Sequence, residues 1–253
     1  MKEVTKKGRR YIFIVVMLLA VYTIWNAISI YQYSSVDETR KCDVGIVLGA
    51  ATDFNGVSEV YKQIFDRSGE GNMRFETERL ILRDYEENDK AAYFKLKSDP
   101  KTMYYLQDIQ LFSQQESDAE FANVLQDQKS KDRKFYFFHI ELKDSHEQVG
   151  SVGYTVNDNT PVGKLVGAGY FTFPQYWNHG YVTEAFKKVI EFAFLENNVY
   201  RITTGCLAEN VGSERVMQKC GLIKEAEHVD WEWHQDKMKT RLEYRLLKNE
   251  WPN

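Results

Sequence analysis

Residues 175–185 read Gln-Tyr-Trp-Asn-His-Gly-Tyr-Val-Thr-Glu-Ala and lie between a β-like run ending at Phe173 and a helical pattern that begins near Val182. A tight polar turn that opens directly into a helix leaves several backbone N–H groups without intrahelical acceptors. With the helix dipole behind them, these groups form a seat for an anion such as a pyrophosphate. Two common phosphate loops do not fit. A Walker-type loop requires Gly-Lys-Ser/Thr and a dinucleotide fingerprint requires three spaced glycines, whereas Gly180 is the one glycine of this segment and is followed by tyrosine.

Working outward, three β-rich runs precede the motif at residues 134–142, 148–157 and 164–173, separated by Lys-Asp-Ser-His and Asn-Asp-Asn-Thr-Pro turns. Before them, residues 74–84 alternate as one strand, with Leu80 and Leu82 against Arg79 and Arg83. Asn88 is placed to cap a helix carrying Ala91, Ala92, Phe94 and Leu96, and residues 114–128 predict a second helix with Phe121, Val124 and Leu125 on one face. After the motif, Val182, Ala185, Phe186, Val189, Ile190 and Ala193 recur at helical spacing. A short strand over 201–206, a short helix over 210–220 closed by Gly221, and two strands around a turn at 235–237 complete the chain. The order β-α-α-β-β-β-α-β-α-β-β predicts one α/β domain, a mixed, mostly antiparallel sheet with flanking helices, over residues 73–253.

Composition limits the function classes. The chain of 253 residues is 43% hydrophobic and 14% aromatic, ample for a core, and its net charge of −4 offers no basic field for nucleic acid. Cys42, Cys206 and Cys220 show no ligand spacing, so neither a metal site nor a disulfide framework is expected and buried free thiols are the reading.

Residues 11–30 form an uncharged apolar stretch preceded by Lys2, Lys6, Lys7, Arg9 and Arg10. That length is close to the roughly 20 residues needed to cross a bilayer, and the charge bias would hold the basic arm in the cytoplasm and send the residues beyond Ile30 outside. The alternatives are an uncleaved signal sequence or a buried helix. Ile-Val-Leu-Gly at 46–49 resembles a first buried strand, but Arg-Ser-Gly-Glu-Gly-Asn at 67–72 breaks the pattern as a linker would. The chain therefore divides into an arm and span (1–30), a truncated fragment and linker (31–72), and the α/β domain (73–253).

Two resemblances rest on these residues. The first 70 or so residues, with Cys-Asp-Val-Gly-Ile-Val-Leu-Gly from Cys42, resemble the start of SanA-like bacterial envelope proteins. The motif resembles the Q/R-x-x-G-x-G/A acyl-coenzyme A loop of GNAT acetyltransferases, aligned at Gln175, Asn178 and Gly180. MRFETERLILRD from Met73, NVGSERVMQKCGL from Asn210 and YRLLKNEW from Tyr244 resemble the RimJ/RimL-type branch, which includes enzymes that acetylate the N-terminal amine of ribosomal proteins.

The resemblance implies acetyl-coenzyme A as co-substrate, no metal, and direct attack by a primary amine, a protein N-terminus or a small molecule, in a ternary complex. It assigns the pyrophosphate to Gln175 and to the N–H groups of Asn178, His179, Gly180, Tyr181, Val182 and Thr183. The pantetheine would lie along the strand carrying Phe171 and Phe173, splayed by a bulge there. Ser213 and Tyr170 are its catalytic candidates, Ser213 as proton donor to the thiolate or as a helix-start hydrogen bonder. Asn210 would contact the cofactor or cap its helix.

Two departures accompany the match. Asn178 replaces the first loop glycine, a tolerable change because asparagine enters the left-handed region readily. Gly167 stands where many related members carry a glutamate, so the expected general base is absent. A non-catalytic cofactor-binding or membrane-tethered module is accordingly the rival function. His179 and His228 carry either proton-transfer or structural readings. Trp177 and Tyr181 read as loop packing, Trp231, Trp233, Tyr104 and Tyr105 as acceptor-groove or core residues, and Glu184 as a first-turn helix residue. Export of the domain would separate it from an intracellular donor. The expectation is thus a fusion of an envelope-protein start with a cytoplasmic enzyme beginning near Met73.

Overall fold

The computed structural model describes residues 72–252. The 11–30 span, the SanA-like segment and Cys42 lie outside them, and among the described residues no helix is long and apolar enough to cross a membrane.

Eight strands form one sheet: β1 (Arg74–Glu76), β2 (Leu80–Arg83), β3 (Phe135–Leu142), β4 (Gln148–Thr160), β5 (Gly163–Thr172), β6 (Val199–Leu207), β7 (Ile223–His234) and β8 (Lys237–Leu247). Among the described residues, four α-helices accompany them: α1 (Lys90–Ser98), α2 (Gln114–Gln128), α3 (Tyr181–Leu195) and α4 (Val211–Lys219). The spatial order is β1-β2-β3-β4-β5-β6-β8-β7, antiparallel throughout except for the parallel pair β5–β6.

The run at 74–84 is two strands, not one. Thr77 turns the chain, its N–H donating to the Leu80 carbonyl at 3.0 Å, so Phe75 pairs back onto Leu82. Asn88 caps nothing: Glu86 precedes a 3₁₀ turn in a capping box with Asp89, and Asp89 leads into α1. Arg83 anchors that entry by holding the Asp89 carboxylate at 2.6 and 2.9 Å. Helix α2 begins as its sequence predicts, with the Ser113 hydroxyl accepting from the Glu116 N–H.

Alternation on the strands sends side chains to two faces. Phe75, Phe138, Ile140, Val152 and Tyr154 meet α3, which buries Ala185, Phe186, Val189, Ile190 and Ala193 as expected and Phe192 and Phe194 besides. On the opposite face, Tyr85, Tyr93, Leu111, Phe121 and Val124 form a smaller cluster under α1 and α2. Each fully buried Phe, Leu or Val in these cores contributes ~1.5–3 kcal/mol. At the turn from β7 to β8, Gln235 and Asp236 both hold positive φ (49° and 56°), the two-residue hairpin geometry matched to strand twist.

The expected bulge is displaced. Residues Val166 to Thr172 of β5 pair with β4 without interruption, and the extra residue is Asn157 on β4. What opens the sheet is the loss of the neighbour on the other side: β5 and β6 pair from Lys164 to Gly167, opposite Thr203, and no further.

Candidate active site

Beyond Gly167 and Thr203 the parallel strands diverge into a cleft of about 1380 Å³, lined by Gly167–Thr172 of β5, residues 203–207 of β6, the α3 entry loop, the start of α4 and Tyr104–Leu106. The entry loop supplies the first wall. Pro174–Tyr176 forms a 3₁₀ turn, Asn178 adopts φ 63°, and Gly180 adopts φ 79° at the N-cap of α3. Asparagine thus occupies the left-handed conformation that the motif demands. No side chain caps Gly180, and among the described residues the N–H groups of residues 178–183 find no backbone acceptor. Six donors therefore lie without backbone partners at a positive helix end.

A clamp with no signature in the sequence fixes this loop. The Glu184 carboxylate accepts from the Thr77 hydroxyl at 2.6 Å, the Arg79 N–H at 2.8 Å and the Arg79 guanidinium at 2.7 Å. Arg79 also donates to the His179 carbonyl at 3.0 Å and lies 4.5 Å over the Tyr181 ring, which His179 stacks against. Burial alone would raise the Glu184 carboxyl, but the Thr77 and Arg79 bonds outweigh it and hold the group below the usual carboxylate range.

The second wall joins β5 to α4. The Tyr170 hydroxyl lies 2.9 Å from the Ser213 hydroxyl and donates to the Ser213 carbonyl at 3.0 Å, bringing the two catalytic candidates together. Burial pushes the Tyr170 phenol above its ordinary value, so it stays protonated at neutral pH. Asn210 caps α4, its side chain accepting from the Ser213 N–H at 3.2 Å. Cys206 and Cys220 are buried free thiols, pushed by burial to about 11 and about 12 and so poor nucleophiles.

The third wall carries charge. Arg241 bridges Glu232, at 2.8 Å, and Glu243, while Lys239 pairs with Glu209. Tyr104 packs edge-on to Tyr105, and both contact the buried His234 ring.

Placed against expectation, Tyr170, Phe171, Asn178, Gly180, Tyr181, Val182, Thr183, Asn210 and Ser213 line the cleft, whereas Phe173, Gln175 and His179 do not. Phe173 is buried under Lys95, and the His179 ring turns back to the Trp177 carbonyl at 2.8 Å. Trp177 packs the loop by donating its indole N–H to the Thr172 carbonyl. Tyr104 and Tyr105 reach the cleft; Trp231 and Trp233 are exposed on β7, and His228 stacks on Trp231 away from it. Glu209, Glu232, Arg241 and Glu243 were missed. For Arg241 and Glu243 the one signal was the alternation of charge at Lys239, Arg241, Glu243 and Arg245 along a strand; Glu209 and Glu232 had none.

The profile described as "Acetyltransferase (GNAT) domain" matches residues 79–223, which span Arg79 and Glu184 of the clamp, the loop and both catalytic candidates. The chain belongs to the GNAT acetyltransferase family. Among GNAT relatives, the uncharacterized N-acetyltransferase YnaD of Bacillus subtilis (strain 168) is 30% identical over 153 residues, 60% of this chain and 84% of YnaD. A solved GNAT-family acetyltransferase from Bacillus anthracis shares 25% identity at a TM-score of 0.57, covering 70% of this chain and 99% of the other. The spermidine N-acetyltransferase from Vibrio cholerae, solved with CoA and spermine, shares the fold at 16% identity and a TM-score of 0.61, covering 70% of this chain and 100% of that one. An N-acetyltransferase thus replaces the non-catalytic rival.

Proposed function

We propose that residues 73–253 transfer an acetyl group from acetyl-coenzyme A to a primary amine, a protein N-terminus or a small-molecule amine, as in the RimJ/RimL-type branch. The observation that carries this reading is the set of unpaired N–H groups at residues 178–183, opening onto a cleft that the diverging strands β5 and β6 extend. The N–H groups would take the pyrophosphate, and Val211 to Ser213 with Phe171 would flank the pantetheine arm.

Tyr170 and Ser213 act at the far end of that arm. Attack by the amine expels a thiolate, and a phenol kept protonated by burial and joined to a second hydroxyl is a proton donor in reach of the sheet opening. Positioning of donor and acceptor does the rest. The domain meets its donor in the cytoplasm, and residues 1–72, read as a membrane-span-bearing SanA-like start, form an appended segment.

Calorimetry with acetyl-coenzyme A tests the reading directly. Binding in the micromolar range, followed by thiol release that depends on added amine, is expected. A purified chain that takes up no acetyl-coenzyme A defeats it.

A further inference from the structure

One register row crosses the sheet where β5 and β6 part. Phe137 of β3 pairs with Gly153 of β4, and Gly153 pairs with Gly169 of β5. Gly167 and Thr203 are the last parallel pair, so Gly169 and Gly205, two residues further on, stand at one level on the two sides of the opening. Gly205 in turn pairs with Glu243 of β8. Paired residues share a face of the sheet. Phe138 and Cys206, the neighbours of Phe137 and Gly205, belong to the core under α3, so this row lies on the opposite face.

Glycine at 153 and 169 lets the Phe137 ring lie across the sheet toward the cleft. Its Cζ and Cε1 atoms stand 3.6 and 3.7 Å from the point a Cβ on Gly169 would occupy. Strands are about 4.8 Å apart, so the ring reaches from β3 to the lip of the cleft, two strands away. It is the middle of three rings, 5.0 Å from Phe135 and 6.5 Å from Phe171 between centroids, at interplanar angles of 32° and 29°. Phe137 and Phe171 are half-buried and Phe135 is exposed, which leaves the platform an open apolar face. Across the glycines, the Glu243 Oε2 and an Arg241 guanidinium nitrogen stand 3.0 and 3.1 Å from the Cβ point of Gly205. At the inner end, Asn157 lays its carboxamide over Gly167, with Nδ2 3.2 Å from that Cβ point. The trough is thus apolar toward β3 and polar toward β8.

We infer that Phe137 is a specificity-determining residue, the apolar wall of an acceptor subsite. The subsite takes a primary amine with a large apolar group close to its nitrogen: an arylalkylamine, or a peptide whose first residue is aromatic or branched aliphatic. The inference rests on the acetyl-transfer reading above. From the anion loop inward, the positions of β5 on this face run Phe171, Gly169, Gly167. A coenzyme arm anchored at residues 178–183 passes Phe171 first and brings its acyl end over Gly169, where the Phe137 ring begins. The apolar group of the acceptor lies on that ring, and its nitrogen lies over the glycines. A linear polyamine has no apolar group of that breadth.

The test uses the full chain, acetyl-coenzyme A and four acceptor probes, phenethylamine, a phenylalanine-initiated peptide, an alanine-initiated peptide and spermidine, with thiol release as readout. For at least one aromatic probe, kcat/KM is expected to exceed that of the other two by about 10-fold or more, the factor that burial of a phenyl group supplies. Which aromatic probe it is separates a small amine from a peptide. Phe137→Ala is expected to bring the ratio within about 3-fold by raising KM for the aromatic probe, with calorimetric affinity for acetyl-coenzyme A unchanged. Phe137→Leu recovers part of the preference. Gly169→Ala adds a methyl at ordinary contact distance from the ring, so the fold tolerates it, and is expected to lower the ratio about 3-fold or more by narrowing the trough. A ring that merely covers glycine would leave the ratio unchanged. Turnover of neither aromatic probe, a preference for spermidine or the alanine-initiated peptide, a ratio unchanged in both Phe137→Ala and Gly169→Ala, or a fall in acetyl-coenzyme A affinity that accounts for the loss overturns the assignment. A wild-type chain that fails to bind acetyl-coenzyme A overturns the underlying reading instead.

Discussion

The loop at 175–183 meets its ligand with main chain, whereas the wall formed by β7 and β8 meets the cleft with paired side chains. A main-chain site needs particular φ angles, and only certain residues supply them cheaply. It therefore leaves a motif. A side-chain site on a strand needs only that alternate positions face the same way, a condition that very many sequences meet. The two walls consequently differ in how they fail: one breaks through backbone strain, the other through loss of a single functional group.

The largest separation of the two is expected at the sheet opening itself. Tyr170→Phe should lower kcat by ~10²-fold or more with acetyl-coenzyme A affinity intact, since the hydroxyl serves proton transfer and the ring still packs on Phe186. Steady-state kinetics beside calorimetry reads both halves. On the main-chain wall the pattern inverts. Gly180→Val forces a branched residue to φ 79°, a strain of about 1–3 kcal/mol, and should weaken acetyl-coenzyme A binding roughly 5- to 150-fold. Preserved far-UV dichroism would show that the fold survives.

Glu184→Gln removes the charged acceptor of the clamp and should cost about 1–2 kcal/mol in denaturant unfolding. Its pH dependence has a definite sign. The folded-state pKa lies below the ordinary 4.5, so the carboxylate contributes stability above that value, and the contribution is lost as pH falls through the folded pKa. The wild-type advantage over Glu184→Gln should vanish in that acid range. Asn178→Gly is the gentlest change: it relieves a left-handed asparagine but loosens the unfolded chain, so binding and stability should move by about a few tenths of a kcal/mol. A large loss would mean that the Asn178 side chain, not its backbone, does the binding.

Much of the fold could be read from pattern. The amphipathic stripe of α3, the length of α2, the three central strands and the 235–236 turn all follow from local periodicity and turn chemistry. The hairpin hidden in 74–84 was not legible, because Thr77 makes a tight turn without glycine or proline. Nor was the clamp, since Arg79 and Glu184 are separated by 105 positions and meet only once the sheet has formed. The sheet opening was foreseen and its cause misplaced. A bulge was expected on β5, whereas the strands part because β6 stops pairing with β5 after Thr203, a long-range event without local residue preference.

That parting has a kinetic consequence. The cleft is lined from both faces of the sheet, which gives the donor and the acceptor separate walls to bind. With Cys206 and Cys220 buried and protonated, no thiol among the described residues stands ready to carry an acyl group between half-reactions. Initial-rate lines for the two substrates should therefore intersect instead of running parallel.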